Sequence, residues 1–422
     1  MPGNGTKLAI TTNNLSPPAA RLLDITRLIS RAGRLPTGVD RVELAYLRHL
    51  VHCPEPLFAI ARTTLGYVLL GGDGVDQITR RIEGALPWGM ADRLSKLARS
   101  KSSAVRQAES DLRRLALDRC RPRQLPKMLA RHVPVGVSYV NTGHSNLTDR
   151  MLWAVQHGAK GRVSVLIHDA IPLDFPQFQR PGSPVRFRAM LRRVRGAADL
   201  IIYNSYYTQT RAEHYMSAWG ALPHGVVAHL GVDLAKPDMA KLPPGLDATR
   251  PWFVMLGTIE PRKGHEMMLD VWQDLLAELG PDTPQLLIIG TRGWNNDAVF
   301  TRLDQLPPDG PVHEMSGLDD AVVTALMAGS QALLFPSHAE GFGLPPVEAA
   351  ALGIPVLSSD LPVIREVLGD IPVYVSELDR YQWQNTVKSL IKDQQTYRPS
   401  TGEDDFVPPT WKDHFNIVLR FI

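Results

Sequence analysis

Cysteine is nearly absent: Cys53 and Cys120 are the only two in 422 residues. Two thiols build neither a disulfide framework nor a thiolate zinc site, so a reducing compartment is expected. Long apolar runs are missing too. No stretch approaches the ~18–20 residues needed to cross a bilayer, and Met1–Thr12 lacks the basic and apolar regions of a secretory leader. These absences predict a cytoplasmic protein, either free or peripheral at the inner face of the cell membrane. There is no Asp-x-Asp triplet, and the histidines are scattered without ligand spacing. A metal-independent site, with no metal ligands and no resident cofactor, is therefore expected. No nucleophile with an adjacent base stands out, which leaves covalent double displacement without an obvious carrier. What is present is an ordinary globular composition, 44% hydrophobic and 21% charged, which excludes disordered and fibrous classes. The length suits two or three domains.

The net charge of +3 hides an asymmetry. Residues 1–250 carry 35 Lys and Arg against 19 Asp and Glu, whereas residues 251–422 carry 11 against 24. Residues 91–132 hold 12 basic and 4 acidic side chains, and Arg186, Arg188, Arg192, Arg193 and Arg195 form a second cluster. Such patches suit nucleic acid, acidic lipid headgroups or a phosphorylated substrate, and they equally suit solvated helix faces.

From Pro251 onward short apolar runs alternate with helical patterns. The runs are Trp252–Leu256, Leu286–Ile289, Val312–Met315, Ala332–Phe335, Pro355–Leu357 and Val373–Val375, and the clearest helix spans His265–Leu279. Repeated strand and helix units predict a parallel sheet covered on both faces, with ligands at the carboxyl ends of the strands. Gly257, Gly290, Gly293, Gly317, Gly341 and Gly343 follow those ends. The first half reads similarly, with strands at Val135–Val140, Val163–Ile167, Leu200–Tyr203 and Val226–Leu230 and a helix over Asp40–Leu50 opened by Thr37-Gly38. Pro237, Pro243, Pro244 and Gly245 mark a linker. The division expected is an α/β Rossmann-like domain over residues 1–236, a linker over 237–250 and a second Rossmann-like domain over 251–407. A terminal helix over 408–422, started by a Thr N-cap, is expected to pack back on the first domain.

The sharpest segment runs Phe335-Pro336-Ser337-His338-Ala339-Glu340-Gly341-Phe342-Gly343-Leu344-Pro345-Pro346-Val347-Glu348-Ala349. A buried strand, a glycine loop and tandem prolines suited to a first helical turn place Glu340 and Glu348 on either side of a helix N-terminus, where a diphosphate is attracted. Two acids at such a positive pole also serve as plain capping. Upstream, Leu256-Gly257-Thr258-Ile259-Glu260-Pro261-Arg262-Lys263-Gly264 puts two cations after a strand, suited to charge-assisted bonds with a leaving group.

Glu340 to Glu348 resembles the E-x7-E motif of the retaining GT-B glycosyltransferases of family GT4. The 256–264 segment is similar to the phosphate-binding segment of bacterial members, many of them mannosyl- or rhamnosyltransferases. The resemblance continues through Ile289-Gly290-Thr291-Arg292-Gly293-Trp294 and Ser316-Gly317-Leu318. It implies a GT-B fold, two doubly wound domains around a cleft. By resemblance, Glu348 grips the ribose of a nucleotide-diphosphate sugar, Glu340 contacts the transferred sugar, and Arg262 and Lys263 neutralise the diphosphate. Gly341, Phe342, Gly343 and Leu344 present backbone to the donor, as do Gly257 and Gly290, and the backbone near Leu318 faces the base. His168, in His168-Asp169-Ala170-Ile171-Pro172, resembles the family histidine beside sugar and acceptor. Gly38 resembles the glycine loop that approaches the diphosphate; the usual paired-glycine wording is absent, which weakens any assignment of Asp40 and Arg41. Asn204, Ser205 and Thr208 match a segment that shapes the fold.

The function expected is transfer of a hexose, with GDP-mannose or a related donor favoured, to a glycan or lipid-linked acceptor in surface polysaccharide synthesis. An anionic membrane surface is a further expected partner. The alternatives are a nucleotide-sugar epimerase of the same fold and a non-catalytic anion- or nucleic-acid-binding protein. The arginine-rich segment has no interleaved aromatics, so no nucleic-acid partner is expected.

Overall fold

The structure is a computed structural model that describes residues 17–392 and 406–422, apart from 97, 99, 244 and 245. Met1–Thr12, Pro244 and Gly245 of the expected linker, and the last residues before the expected terminal segment lie outside the described residues.

Two sheets organise the chain. The first contains β1 (Arg21–Asp24), β2 (Leu57–Thr63), β3 (Gly66–Leu70), β4 (Asp118–Cys120), β5 (Ser138–Asn141), β6 (Arg162–Ile167), β7 (Leu200–Tyr203) and β8 (His224–Val227), in the order β4-β3-β2-β1-β5-β6-β7-β8. The second contains β9 (Trp252–Leu256), β10 (Gln285–Ile289), β11 (Val312–Met315), β12 (Leu333–Phe335), β13 (Val356–Ser359) and β14 (Val373–Val375), in the order β11-β10-β9-β12-β13-β14. All neighbours in the second sheet are parallel. Each sheet reverses its strand order once, at β1/β5 and at β9/β12. Connections leave in opposite directions at such a point, and a crevice opens beyond the carboxyl ends of the strands.

In the second domain alternate strand residues feed two apolar layers, as the period of two requires. Phe253, Leu286, Ile288 and Leu334 pack under Trp272, Leu275, Trp383 and Val387. Val254, Leu287 and Leu333 face Val322, Leu326 and Ala349 on the other side. The helix read from the sequence spans His265–Leu279 and ends at Gly280.

The first sheet departs from expectation at one edge. Parallel pairing was expected throughout, but β3 runs antiparallel to both β2 and β4. Only Thr64 and Leu65 separate β2 from β3, and so short a connection permits only antiparallel pairing. The turn lacks the Asn-Gly wording of a two-residue hairpin, so β1–β4 went unread. β5 begins later than expected because the chain turns at Gly136, with φ +80°, leaving Val135 exposed.

A helix at Trp411–Val418, capped by Thr410 accepting from the Asp413 N–H, returns to the first domain. Phe415, Val418 and Ile422 are buried in the same apolar cluster as Tyr46, Leu47 and Leu50. His414 Nδ1 donates to the carbonyls of Ala228 and His229, and Tyr46 Oη donates to its Nε2 at 2.7 Å. Arg21 donates from Nε and Nη2 to the Ile422 carbonyl. Nearly every polar atom brought into this interior thus has a partner, as burial demands.

The basic segment 91–132 is partly internal. Arg113 is buried and paired with Asp92, Arg114 and Arg81 share Asp111, and Lys101 pairs with Glu109. Arg113 is therefore a structural ion and no part of an outward-facing patch, whereas Arg119, Arg121 and Arg123 are exposed.

Candidate active site

The crevice at β9/β12 collects the charges. After β9 the chain passes Gly257 and makes a single 3-10 turn, Pro261–Lys263, before Gly264 starts the next helix. After β12 it passes Pro336 and Ser337 to Glu340, and then enters the helix Leu344–Ala351 with prolines in its first turn. Backbone bonds tie the two loops together, the His338 N–H donating to the Arg262 carbonyl at 2.8 Å. The loop beyond β10 closes from the other side. A Cβ on Gly290 would lie 1.8 Å from the Gly257 carbonyl oxygen, so only glycine fits there.

Arg262 and Lys263 converge on Glu340. Lys263 Nζ lies 2.6 Å from Glu340 Oε1 and Arg262 Nη1 lies 2.8 Å from Oε2. Arg262 also donates to the Ala339 carbonyl and pairs with Glu260 at 2.7 Å. All four side chains are largely shielded from solvent. Burial alone would raise the Glu340 carboxyl, but Arg262 and Lys263 hold it down at about 2. Burial lowers the Lys263 ammonium, opposed by Glu340, and the Arg262 guanidinium is driven upward by Glu340 and Glu260 against its own desolvation. The sequence assigned the two cations to a diphosphate; in the structure they also grip the first acid of the motif.

Glu348 sits in the second turn of the helix Leu344–Ala351, buried and within 3.0 Å of Arg41 Nη1 from the first domain. Gly38 begins the helix Gly38–Val51, and a Cβ placed on it would lie 3.5 Å from Leu344 Cδ1 across the crevice. Asp40 closes a capping box with Thr37 and binds Arg27 and Arg31, which makes it an anchor of its own loop. Phe342 packs into the interdomain apolar cluster beside His229. Leu318 is half-buried against the β9–β10 layer. Trp294 donates from Nε1 to the Phe178 carbonyl across the domains, which makes it a packing residue.

His168 lies at the end of β6, buried against the glycine loop. A Cβ on Gly341 would fall 2.1 Å from the His168 carbonyl oxygen, and the Gly341 carbonyl accepts from Ser205 Oγ and Thr208 Oγ1, both at 3.1 Å. The His168 ring is tied to its own domain through one nitrogen. Its Nε2 donates to the Thr142 carbonyl at 2.6 Å, and its face meets His144 edge-on. Burial, with His144 next, lowers its pKa to about 3, and His144 falls to about 4, so both rings are neutral.

Sequence reading passed over several buried groups here. Asp169 is pushed up to about 6 by burial, against the pull of Arg262. Asp24 closes β1 and accepts from Tyr139 Oη and Asn146 Nδ2, and Glu43 is fully buried beside Gly143. Arg41 was noted only in passing. The available signal was positional: Asp24 is the last residue of β1, and Asp169 is the second residue after β6. Among the described residues no group of three His, Cys, Asp or Glu is gathered as a metal site requires.

Residues 241–400 match the family described as glycosyl transferases group 1. The chain is 32% identical over 271 residues to the serotype-specific mannosyltransferase WbdA of Escherichia coli, across 60% of this chain and 33% of that protein. It is 33% identical over 119 residues to O-antigen chain mannosyltransferase B of Escherichia coli, across 28% of this chain and 31% of the relative. The match thus spans about a third of the length of these curated relatives. The crystal structure of Anabaena Alr3699/HepE in complex with UDP-glucose superposes with a TM-score of 0.61 at 15% identity, covering 95% of this chain and 97% of that one, a likeness of fold.

The two neutral histidines set a pH dependence. Each has a folded pKa below 6.5, so the unfolded state binds more protons between those values and stability is lost as pH falls through that window. Each contributes up to about 1.4 kcal/mol per pH unit. Urea midpoints measured from pH 7.5 to 5 should fall less steeply for His168→Asn than for the intact chain. Parallel slopes would show that His168 does not remain neutral.

Proposed function

Since the chain belongs to the group 1 glycosyl transferases, family GT4, and has the two-domain GT-B fold, we propose that it is a retaining hexosyltransferase. It moves mannose, or a related sugar, from a nucleotide-diphosphate donor to a glycan or lipid-linked acceptor in surface polysaccharide synthesis. The observation that carries this reading is the convergence of Arg262 and Lys263 on Glu340, at the strand-order reversal and 8 positions before a second buried acid. The relatives' names as mannosyltransferases support the sugar.

The roles follow from charge and reach. Arg262 and Lys263 stabilise the diphosphate as the bond from the sugar C1 to its oxygen breaks, in a shielded site where such bonds are strong. Glu348 accepts from the ribose hydroxyls. Glu340, kept anionic by the two cations, accepts from hydroxyls of the transferred sugar and faces the positive charge that develops on its ring. The acceptor hydroxyl attacks C1 from the side the diphosphate leaves, and its proton passes to the departing diphosphate oxygen. That path retains configuration and needs no enzyme nucleophile. His168 donates to its own domain, so its part is to hold the wall of the crevice against Gly341.

The first domain presents the excess of positive charge, with Arg119, Arg121, Arg123, Arg186, Arg188 and Arg192 exposed. No helix among the described residues is long and apolar enough to cross a membrane. We propose that these arginines dock the first domain on an anionic bilayer, where each basic residue near the surface contributes about 1 kcal/mol.

Two experiments follow. Lys263→Ala and Glu348→Gln should each lose about 1.5–3 kcal/mol of transition-state binding, read as a loss of roughly ten- to a hundredfold in kcat/KM with GDP-mannose. Full activity in both variants would refute the site. In liposome sedimentation, binding to phosphatidylglycerol vesicles should appear at low salt, fade as salt rises, and drop when the six exposed arginines become Gln. Equal recovery in the supernatant with neutral and anionic vesicles would refute the docking.

A further inference from the structure

Arg41 is the one residue of the first domain that ion-pairs with the motif, among the described residues. It projects from the helix Gly38–Val51 and divides its guanidinium between two acids of the second domain. Nη1 lies 3.0 Å from Glu348 Oε1, and Nη2 lies 2.6 Å from Asp320 Oδ1, at the start of the helix Asp320–Ala328. Asp320 is well exposed, whereas the Glu348 side chain retains 9% of its exposure. Glu348 Oε2 has no protein hydrogen bond among the described residues, so Arg41 is the only side chain that holds this carboxylate.

A carboxyl group in that position faces a choice. Burial favours the protonated form, and a neutral carboxyl carries a hydrogen on one oxygen, which spoils its ability to accept from two neighbouring hydroxyls. Ionised, it offers about four lone-pair sites, of which Arg41 takes one. The charged groups facing Glu348 are Arg41 on one element and Asp320 on the other. Burial raises the Glu348 carboxyl, Arg41 opposes the rise, and Asp320 adds to it. A guanidinium is always charged, so it supplies this opposition at every working pH.

We infer that Arg41 is a positioning residue acting through Glu348, keeping its carboxylate ionised and oriented so that the remaining lone pairs accept the vicinal hydroxyls of the donor's ribose. This rests on the reading of Glu348 as the ribose contact. It also links the two domains, because the acid that binds the donor on one side of the crevice depends for its charge on a cation from the other.

The sign is definite. Without Arg41 the Glu348 pKa rises, so ribose binding is present at high pH and lost as pH falls through the raised value. Affinities of GDP and UDP measured calorimetrically from pH 6 to 8.5 should be flat for the intact protein. For Arg41→Ala they should weaken about tenfold per pH unit below the raised pKa. Arg41→Lys should restore most of the flat profile. Glu348→Gln should bind weakly at every pH, with no further loss in the double variant. Arg41→Ala with an unchanged profile, or with a constant loss at every pH that adds fully to Glu348→Gln, would overturn the inference. Titration of ¹³C-labelled glutamate carboxyls, with Glu348→Gln to assign the signal, gives a readout without nucleotide. Arg41→Ala should move the Glu348 midpoint upward, and an unmoved midpoint refutes the role of Arg41. An upward shift without any nucleotide binding by the intact protein would leave the electrostatic link standing, and would refute the ribose reading of Glu348 and with it the positioning role.

Discussion

A carboxylate enclosed between two cations governs the geometry of the crevice. Glu340 taken alone is a costly group to bury, and Arg262 or Lys263 taken alone would be costlier. Together they are shielded and ionised, with Glu260 and the Ala339 carbonyl completing the shell of Arg262. Because the cations come from the loop after β9 and the acid from the loop after β12, the cluster fixes those loops across the point where the strand order reverses. Removing any member would leave an uncompensated charge in a shielded place, so the group acts as a unit.

The second constraint is close approach between domains. The glycine loop that follows Glu340 lies directly on the His168 carbonyl, with hydroxyls from Ser205 and Thr208 completing the seat. Glu366 accepts from the N–H groups of Tyr206 and Tyr207 and pairs with His229, tying the next helix of the second domain to the first. The returning terminal helix fills the apolar space behind. The crevice walls are thus joined at backbone level near the acids, and Arg41 reaches over from the other end.

Much of this was legible in sequence because the second domain is built from regular, uninterrupted units. Strands at Trp252–Leu256, Val312–Met315 and Val373–Val375 and the helix at His265–Leu279 fall where apolar periodicity put them. The first domain was harder for physical reasons. β1 and β4 span 4 and 3 residues, too short to show a period, and Thr64 and Leu65 between β2 and β3 lack the Asn-Gly wording of a hairpin. The charge clusters misled where pairing was nonlocal: nothing in the sequence says that Arg113 turns inward to Asp92, 21 positions away. Arg41 was named without a role, and Asp169 was missed, for the same reason, since their significance lies in groups more than 90 positions distant along the chain.

The central claim is that the cations gripping Glu340 serve the diphosphate while Glu340 itself serves the sugar. Glu340→Gln separates the two. Calorimetric affinity for the nucleoside diphosphate should equal or exceed that of the intact protein, because Arg262 and Lys263 lose an anionic competitor, while kcat for sugar transfer falls by at least about tenfold, the loss of one charge-assisted contact. A parallel loss of nucleoside diphosphate affinity in Glu340→Gln, or transfer at the intact rate, would contradict the account.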